Sequence, residues 1–311
     1  PAGLSAGRTT APRAPPLRPR APHGDCAGVT RPAATPPAAE PVWAGLTLDR
    51  PRLMGILNVT PDSFSDGGRH ADPARAIEAA QRMVADGADI VDVGGESTRP
   101  GSAPVPPSVE QARILPVVRA LAIAGLRVSV DTRNADTMRA ALDAGAAIVN
   151  DVSGLAHDPA AAPLVAARGC PVVLMHMRGT PATMSKLAVY QDVAAEVRSE
   201  LAATLARARA AGIAAEAIAL DPGIGFAKHA PHSIALLQSL PTLATLGCPL
   251  LVGVSRKAFI GALSGVETPA DRLAGSIAAG LFPIARGASI LRVHDITETA
   301  QALRVWHSLS G

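Results

Sequence analysis

The 311 residues of this chain are enough for two average domains or for one (β/α)8 barrel, which needs about 250 residues. Aromatic residues make up only 2% of the sequence, so its core must be built from Ala, Val, Leu and Ile, which suit parallel strands buried on both faces. Residues 1–42 hold five Arg against two acidic residues, which leaves residues 43–311 neutral with 24 charges of each sign. A neutral, aromatic-poor body argues against nucleic-acid binding, and no uncharged apolar run of about 18 residues predicts a membrane span.

The segment 1–42 is dominated by Pro, Ala, Gly and Arg and has no apolar periodicity. Such a segment cannot bury enough surface to offset its ordering entropy, so we predict a disordered N-terminal extension whose deletion leaves turnover intact. A transit peptide is the alternative, but the proline density is unfavourable for its amphipathic helix. Cys26, Cys170 and Cys248 form no CxxC pair and are interpreted as reduced thiols of a cytoplasmic protein.

From residue 53 onward, short apolar runs alternate with polar loops and Ala-rich helical stretches. Eight runs predict strands: Leu53–Leu57, Asp89–Val93, Arg127–Val130, Ala147–Val149, Val172–Met175, Ala217–Leu220, Leu250–Val254 and Ser289–Val293. Helices are predicted between them, among others at Pro73–Asp86, Ser108–Ala124, Ala135–Ala144, Pro159–Ala167, Tyr190–Ala211 and Pro269–Arg286. Eight such alternating units indicate an α/β fold, a closed (β/α)8 TIM barrel over residues 43–311. An open doubly wound sheet is the alternative, but it would need a glycine-rich turn where this chain has Asn58-Val59-Thr60-Pro61.

Polar residues end or closely follow most of these runs. Because the active site of such a barrel lies at the carboxyl ends of its strands, we predict a ring of functional side chains there. The ring comprises Asn58, Asp92, Asp131, Asn150, Asp221, Lys257 and Arg292. Each Asp or Asn alone could be a helix N-cap, but caps do not require Lys and Arg at the same rim. Asp92 lies inside its run, so we interpret it as a support for the following loop or a neighbouring ligand contact rather than as a catalytic group.

The members of this ring suit a ligand that has both a hydrogen-bonding ring and an anionic group. The region after the seventh and eighth strands is the usual phosphate site of these barrels, and it holds Ser255, Lys257, Arg292 and His294. Asp and Asn side chains across the mouth can pair with the donor edge of an amino-pyrimidine. The long Gly- and Pro-containing loops 58–68 and 94–101 are predicted to be mobile lids. For His176, packing and catalysis stand as equal alternatives.

Eight stretches of the sequence resemble the dihydropteroate synthase family, in that family's order. They are MGILNVTPDSFSDGG (54–68), DVGGESTRPG (92–101), SVDT (129–132), NDVSG (150–154), LMHM (174–177), LDPGIGFAK (220–228), VGVSRK (252–257) and RVHD (292–295). The resemblance implies an enzyme that condenses 6-hydroxymethyl-7,8-dihydropterin diphosphate with 4-aminobenzoate, giving 7,8-dihydropteroate and diphosphate in folate synthesis. In that family diphosphate leaves first, with the assistance of Mg²⁺, and the aniline nitrogen traps a pterin cation. It also implies small-molecule substrates, a homodimer and inhibition by sulfonamides.

The resemblance further implies roles for individual residues of this chain. The catalytic residues would be Asp131, Asp221, Lys257 and Arg292. The pterin-binding residues would be Asp92, Asp131, Asn150, Val152, Met175, Asp221, Gly253 and Lys257. The diphosphate-binding residues would be Asn58, Thr98, Arg292 and His294, with Asn58 also the Mg²⁺ ligand. The aminobenzoate-binding residues would be Phe64, Thr98, Arg99, Pro100, Phe226, Ser255 and Lys257.

Two readings compete with a synthase. A pterin-binding methyltransferase would need the pterin residues but not the NVTPDSFSDGG or SRK segments. A non-catalytic pterin-binding paralogue is disfavoured by the intact loops and the retained Asn58, Lys257 and Arg292. The chain departs from the family's common Phe-Gly-Phe-Gly-Lys at residues 224–228, where Ala227 disfavours a positive φ. Trp43 and Trp306 are predicted to pack in the core or in an interface.

Overall fold

A two-stranded antiparallel hairpin precedes a closed barrel of eight parallel strands in the computed structural model, which describes residues 41–60, 72–98 and 101–310. The hairpin consists of β1 (Val42–Trp43) and β2 (Leu46–Thr47). The barrel strands are β3 (Arg52–Asn58), β4 (Ile90–Gly94), β5 (Val128–Asp131), β6 (Ile148–Asp151), β7 (Val172–Met175), β8 (Ile218–Asp221), β9 (Leu250–Val252) and β10 (Ala288–Val293). They are hydrogen-bonded in sequence order and β10 closes onto β3, so the predicted TIM barrel is confirmed.

Each predicted strand coincides with a barrel strand to within two residues. The described helices are α1 (Pro73–Ala85), α2 (Pro107–Ile123), α3 (Ala135–Asp143), α4 (Ala161–Arg168), α5 (Val193–Ala210), α6 (Ala230–Gln238), α7 (Leu240–Ala244), α8 (Ala258–Ser264), α9 (Leu273–Ile284) and α10 (Ile296–Ser310). None of the helices in these described ranges is both long and apolar enough to cross a membrane.

One predicted helix is divided. The segment 269–286 was expected to be continuous, but it forms a 3₁₀ turn, Pro269–Asp271, followed by α9. The break falls at Arg272, whose backbone has φ −83° and ψ 19°. The guanidinium group of Arg272 donates to the carbonyl oxygens of Val266 (2.9 Å) and Arg256 (3.0 Å). These tertiary hydrogen bonds tie the start of α9 to the loop after β9.

Trp43, in the hairpin, covers the amino-terminal end of the barrel interior, and we call this side chain the plug. The two turn residues of the hairpin both have positive φ, 51° for Ala44 and 70° for Gly45, as a two-residue type I′ turn requires. Trp43 is only 1% exposed, and its indole Nε1 donates to the Ala217 carbonyl oxygen (3.0 Å). It packs on the apolar side chains that fill the barrel interior: Met54, Ile90, Ile148, Val173, Ala219, Leu251 and Ile290. The prediction of a packing role is confirmed for Trp43, whereas Trp306 on α10 is half-buried.

We expect Trp43→Ala to lower the free energy of unfolding by about 3–5 kcal/mol, the usual cost of truncating a buried Trp. The plug lies at the end of the barrel opposite the strand carboxyl ends, so turnover per folded molecule is expected to persist. Urea unfolding measures the first quantity and a steady-state assay the second. Trp306→Ala is the control, and a loss of stability as large as that of Trp43→Ala would contradict the plug.

Candidate active site

The polar ring is built by the two-residue repeat of the strands. Side chains two positions apart on a strand share a face, so a residue two positions beyond an inward apolar residue also points inward. The pairs are Ile90 and Asp92, Ile148 and Asn150, Val173 and Met175, Ala219 and Asp221, Leu251 and Gly253, and Ile290 and Arg292. One inward layer is therefore apolar, and the next layer toward the carboxyl ends carries the functional groups.

Arg292 ties the layer together by an ion pair with each of two carboxylates. Its Nε donates to Asp92 Oδ2 and its Nη2 to Asp131 Oδ2, both at 2.6 Å. Asn150 Nδ2 also donates to Asp92 Oδ2, at 2.9 Å. Burial raises the pKa of Asp131 to about 7, an effect that Arg292 opposes and the nearby Asp92 carboxylate reinforces. Burial alone would lower the pKa of Arg292, but the two carboxylates outweigh it and hold the guanidinium charged.

Asp92 was interpreted as a support for the following loop or as a neighbouring ligand contact, and the second of these stays a prediction. It is fully buried, and it supports Arg292 and Asn150 rather than the loop that follows its strand. That loop is anchored by other residues. Glu96 accepts from Arg133 (3.0 and 3.1 Å) and from the Val105 backbone N–H (3.0 Å), while Arg113 donates to the Gly95 carbonyl oxygen (2.7 Å).

A second group of contacts joins β8 to the loop after β9. Asp221 Oδ1 accepts from the Gly223 backbone N–H (2.7 Å), which leaves Oδ2 for a ligand. Lys257 Nζ donates to the Ile224 carbonyl oxygen and lies 4.6 Å from the centroid of the Phe226 ring. Burial raises the pKa of Asp221, which Lys257 opposes, and burial lowers the pKa of Lys257 to about 8, which Asp221 opposes.

The segment after β9 and the end of β10 form the adjacent part of the rim. Ser255 Oγ lies 3.0 Å from His294 Nδ1 and accepts from the His294 backbone N–H (3.3 Å). Between Ser255 and Lys257, the backbone of Arg256 is left-handed, with φ 60°. An ion pair of Arg256 with Asp295 holds this unfavourable conformation, so that the side chains on either side can turn toward the mouth.

The remaining predicted residues lie as follows. Val152 and Met175 are buried at the ends of β6 and β7, and a Cβ on Gly253 would lie 3.7 Å from that of Arg292, so Gly253 keeps space open there. Asn58, at the end of β3 opposite Gly94, and Thr98 are half-buried. The predictions for Phe64, Arg99, Pro100 and most of the extension 1–42 concern positions outside the described residues.

Three functional contacts escaped the sequence analysis. Lys228 is 6% exposed and bonds to His176, whose other ring nitrogen lies 2.9 Å from a Glu200 carboxylate oxygen. His176 is thus a packed, hydrogen-bonded residue, and burial together with Lys228 lowers its pKa to about 4. The Glu96–Arg133 and Arg256–Asp295 pairs are the other two. Six of these seven residues fall inside or beside the quoted motifs, all except Glu200. A motif marks such residues but does not show which partner each one contacts.

The donor set at the mouth fits Mg²⁺ only as a sparsely coordinated ion. Across residues 41–60, 72–98 and 101–310, no group of three or more His, Cys, Asp or Glu could hold a metal. Asn58 offers one hard amide oxygen at the rim beside the carboxylate layer. Mg²⁺ commonly keeps several waters and phosphate oxygens and takes one or two protein ligands, so a single amide is compatible with a metal brought by a diphosphate.

Ala227 has φ 48°, the left-handed conformation that the family's Gly would adopt without strain. We expect Ala227→Gly to raise the free energy of unfolding by about 0.5–1 kcal/mol, because relieved strain exceeds the entropy that Gly adds to the unfolded chain. Urea denaturation at constant m-value measures this. Ala203→Gly, at an exposed position inside α5, should instead lose about 1 kcal/mol. A loss of stability at both positions would contradict the strain at Ala227.

Comparison with known proteins identifies similar chains. The family model described as "Pterin binding enzyme" matches residues 54–294. The chain is 48% identical to a dihydropteroate synthase of Neisseria meningitidis serogroup B over 280 residues, which cover 87% of this chain and 98% of the relative. A Xanthomonas albilineans dihydropteroate synthase solved with 4-aminobenzoic acid superposes with a TM-score of 0.81 at 48% identity, covering 86% of this chain and 97% of the other. Its complex with 7,8-dihydropteroate gives a TM-score of 0.78 at 46% identity, covering 86% and 96%.

Proposed function

The chain belongs to the dihydropteroate synthases of the pterin-binding enzyme family, and from that premise we propose how its own residues carry out the reaction. The reaction condenses 6-hydroxymethyl-7,8-dihydropterin diphosphate with 4-aminobenzoate to 7,8-dihydropteroate and diphosphate. The observation that carries the proposal is the Asp92–Arg292–Asp131 ion network, which meets Asp221 and Lys257 at one barrel mouth. It places hydrogen-bonding carboxylates and fixed cations together, as a pterin with a departing diphosphate requires.

The pterin lies on the floor of the mouth in this proposal. Asp221 Oδ2 and the side chain of Asn150 face the amino-pyrimidine edge, and Asp131 faces the far edge of the ring. Lys257 is held on the Ile224 carbonyl oxygen and above Phe226, where its ammonium can donate to a ring carbonyl. A carboxylate accepting from adjacent N–H groups is a charge-assisted contact, so Asp221 makes the strongest single interaction with the pterin. Met175, Val152 and Gly253 line the walls.

The diphosphate lies at the rim formed by Arg292, His294, Thr98 and Asn58. Arg292 cannot lose its charge, so it stabilises the leaving group throughout the reaction without a proton transfer. Asn58 would hold Mg²⁺ against the diphosphate, where the ion neutralises phosphate charge. The 4-aminobenzoate enters beside Phe226, Ser255 and Lys257, and Phe64, Thr98, Arg99 and Pro100 complete its site. A neutral aniline needs no strong base, so this rim positions it rather than activating it.

A reconstituted assay tests the activity. Purified protein should form 7,8-dihydropteroate only when the pterin diphosphate, 4-aminobenzoate and Mg²⁺ are all present, and a sulfonamide should compete with 4-aminobenzoate. Excess chelator should abolish turnover, and Asn58→Leu should raise the Mg²⁺ concentration that is needed. If excess chelator left turnover undiminished, the proposed Mg²⁺ requirement would be refuted, but the proposed condensation would stand. Methyl transfer to a corrinoid without condensation would establish the methyltransferase instead.

We also propose that the protein is a cytoplasmic homodimer, joined by the face of α6, α8 and α9. An apolar groove of about 360 Å³ runs between these helices. Leu263 at its edge is 68% exposed, and Phe259, Ile260 and Phe282 are among the apolar residues that line the groove. Light scattering should give a dimer for the parent and a monomer for Leu263→Glu. Ile123→Glu, at an exposed apolar residue on α2, is the matched control and should stay dimeric.

A further inference from the structure

A buried ammonium group lies beneath the loop that follows β8. Lys228 Nζ contacts the Phe226 carbonyl oxygen (3.0 Å), the Gly223 carbonyl oxygen (3.1 Å) and His176 Nδ1 (2.8 Å). An ammonium has three N–H donors, and these three acceptors lie within 3.1 Å of it, with the His176 carbonyl oxygen at 3.5 Å as a longer fourth contact. Burying a charge costs several kcal/mol unless its hydrogen bonds are satisfied. The acceptors around Lys228 offset that cost and hold its ammonium group in one position.

The acceptors lie on two different loops. Gly223 and Phe226 belong to the loop after β8, whereas His176 follows β7. The loops touch closely, since a Cβ on Gly223 would come within 2.0 Å of the His176 carbonyl oxygen. His176 accepts from the ammonium at Nδ1, so its Nε2 carries the hydrogen and donates to Glu200 (2.9 Å). Glu200 lies on α5, so this hydrogen bond extends the connection to that helix, and Glu200 also pairs with Arg178 of the β7 loop.

The β8 loop holds the groups that face the substrates. Gly223 donates its backbone N–H to Asp221 Oδ1, and its carbonyl oxygen accepts from Lys228. Phe226 contacts Lys257 through its ring, and its carbonyl oxygen also accepts from Lys228. The two loop residues whose carbonyl oxygens accept from Lys228, Gly223 and Phe226, are therefore the same residues that contact Asp221 and Lys257.

We propose that Lys228 is a positioning residue, whose ammonium group fastens the β8 loop to the β7 loop and thereby sets the placement of Asp221 and Phe226. The proposal rests on the proposed function, because it assigns Asp221 to the pterin and Phe226 to the aminobenzoate. Lys228 also acts on Asp221 electrostatically, because its ammonium lies close enough to lower the pKa of that carboxyl group.

Loss of this cation has a consequence for pH dependence. Asp221 must be ionised to accept from the pterin, and Lys228, Lys257 and Arg292 all favour its charged form. Removing Lys228 raises the pKa of Asp221 further, so the acid limb of activity moves to higher pH. The charged and titratable groups facing Lys228 itself are Asp221, Lys257, His176, Glu200 and Arg178, and burial lowers its pKa to about 7.

Lys228→Met tests the proposal, with Lys186→Met as the control because Lys186 is exposed. We expect KM for the pterin diphosphate and for 4-aminobenzoate each to rise about 10-fold or more in Lys228→Met, a loss of about 1.4 kcal/mol per site. The acid limb of kcat/KM for the pterin substrate should shift upward in pH, and Lys186→Met should match the parent throughout.

A second pair of variants decides the matter where Lys228→Met does not fold. His176→Gln can still accept from the ammonium, whereas His176→Phe cannot, so His176→Phe should raise both KM values more than His176→Gln. An acid limb and KM values that match the parent, or a fall in kcat alone, would overturn the proposal. Equal KM values in the two His176 variants would overturn it too. An inactive parent would instead refute the proposed function, which keeps the two failures distinct.

Discussion

Arg292→Met is expected to abolish most of the activity and to destabilise the fold at the same time. Arg292 donates to both Asp92 and Asp131 at 2.6 Å. Removing one partner of a buried ion pair leaves uncompensated charge and costs about 3–5 kcal/mol. The same change removes the fixed cation that we propose binds the diphosphate, and losing one such electrostatic contact lowers kcat by about 10²–10³-fold. Steady-state kinetics and urea unfolding of the same preparation measure the two effects.

The loss of stability should depend on pH. The pKa of Asp131 is already raised by burial to about 7, and without Arg292 it rises further. A carboxyl group whose pKa is higher in the folded than in the unfolded state makes stability fall as pH increases between the two values. For the parent that window runs from about pH 4 to about pH 7, and in the variant it extends above pH 7. Unfolding measured at pH 5.5 and pH 8.5 should therefore show the larger deficit at pH 8.5.

A double variant separates the two roles of Arg292. Arg292→Met with Asp92→Asn removes the guanidinium and one of its carboxylates, so part of the lost stability should return while activity stays low. An Arg292→Met protein as stable as the parent at both pH values would show that the ion network does not hold the mouth together. Recovery of activity in the double variant would mean that Arg292 serves only to neutralise Asp92.

The sequence predicts which edge of the barrel is functional but not which residues are joined there. Arg292 and Asp92 are 200 positions apart, and their contact follows from barrel closure, which pairs β10 with β3 and so leaves β10 only one strand away from β4. The strand pattern was sufficient to locate the ring because inward positions repeat every two residues. The interpretation of Asp92 as a support for the following loop rested on its position along the run, whereas its face, shared with Ile90, directs its side chain to Arg292 and Asn150.

Other features lay beyond local reasoning because they depend on tertiary partners. Lys228 ends a quoted motif, yet only the packing of two loops reveals that its ammonium is buried among three acceptors. The break before α9 depends on hydrogen bonds that Arg272 makes to distant carbonyl groups. Ala227 is the converse case. The expectation that this position needs a positive φ followed from the family's Gly, and the backbone has φ 48° there.

Asp221→Asn is expected to weaken binding of the pterin diphosphate by about 30- to 150-fold, or about 2–3 kcal/mol, because an amide replaces a charged acceptor. The amide offers one oxygen where the carboxylate has two, and its NH₂ group opposes the N–H donors of the pterin. Calorimetry in the absence of 4-aminobenzoate measures this affinity directly. Unchanged affinity would remove Asp221 from the pterin site.

The free energy of unfolding provides an internal check on Asp221→Asn, because it should not fall although the affinity for the pterin diphosphate does. Burial raises the pKa of Asp221, so the ionised carboxylate costs stability at neutral pH and a neutral amide does not. The variant should therefore be at least as stable as the parent at pH 8 while it binds the pterin weakly. Asp151→Asn is the matched control. Asp151 is a buried carboxylate at the end of β6 whose pKa burial likewise raises, to about 6, and its oxygens already accept from Ser153 (2.7 Å) and the Leu155 backbone N–H (3.1 Å). Its replacement should leave pterin affinity near the parent value. Weak pterin binding together with undiminished stability would show that the fold keeps a costly ionised Asp221 because the ligand needs its charge.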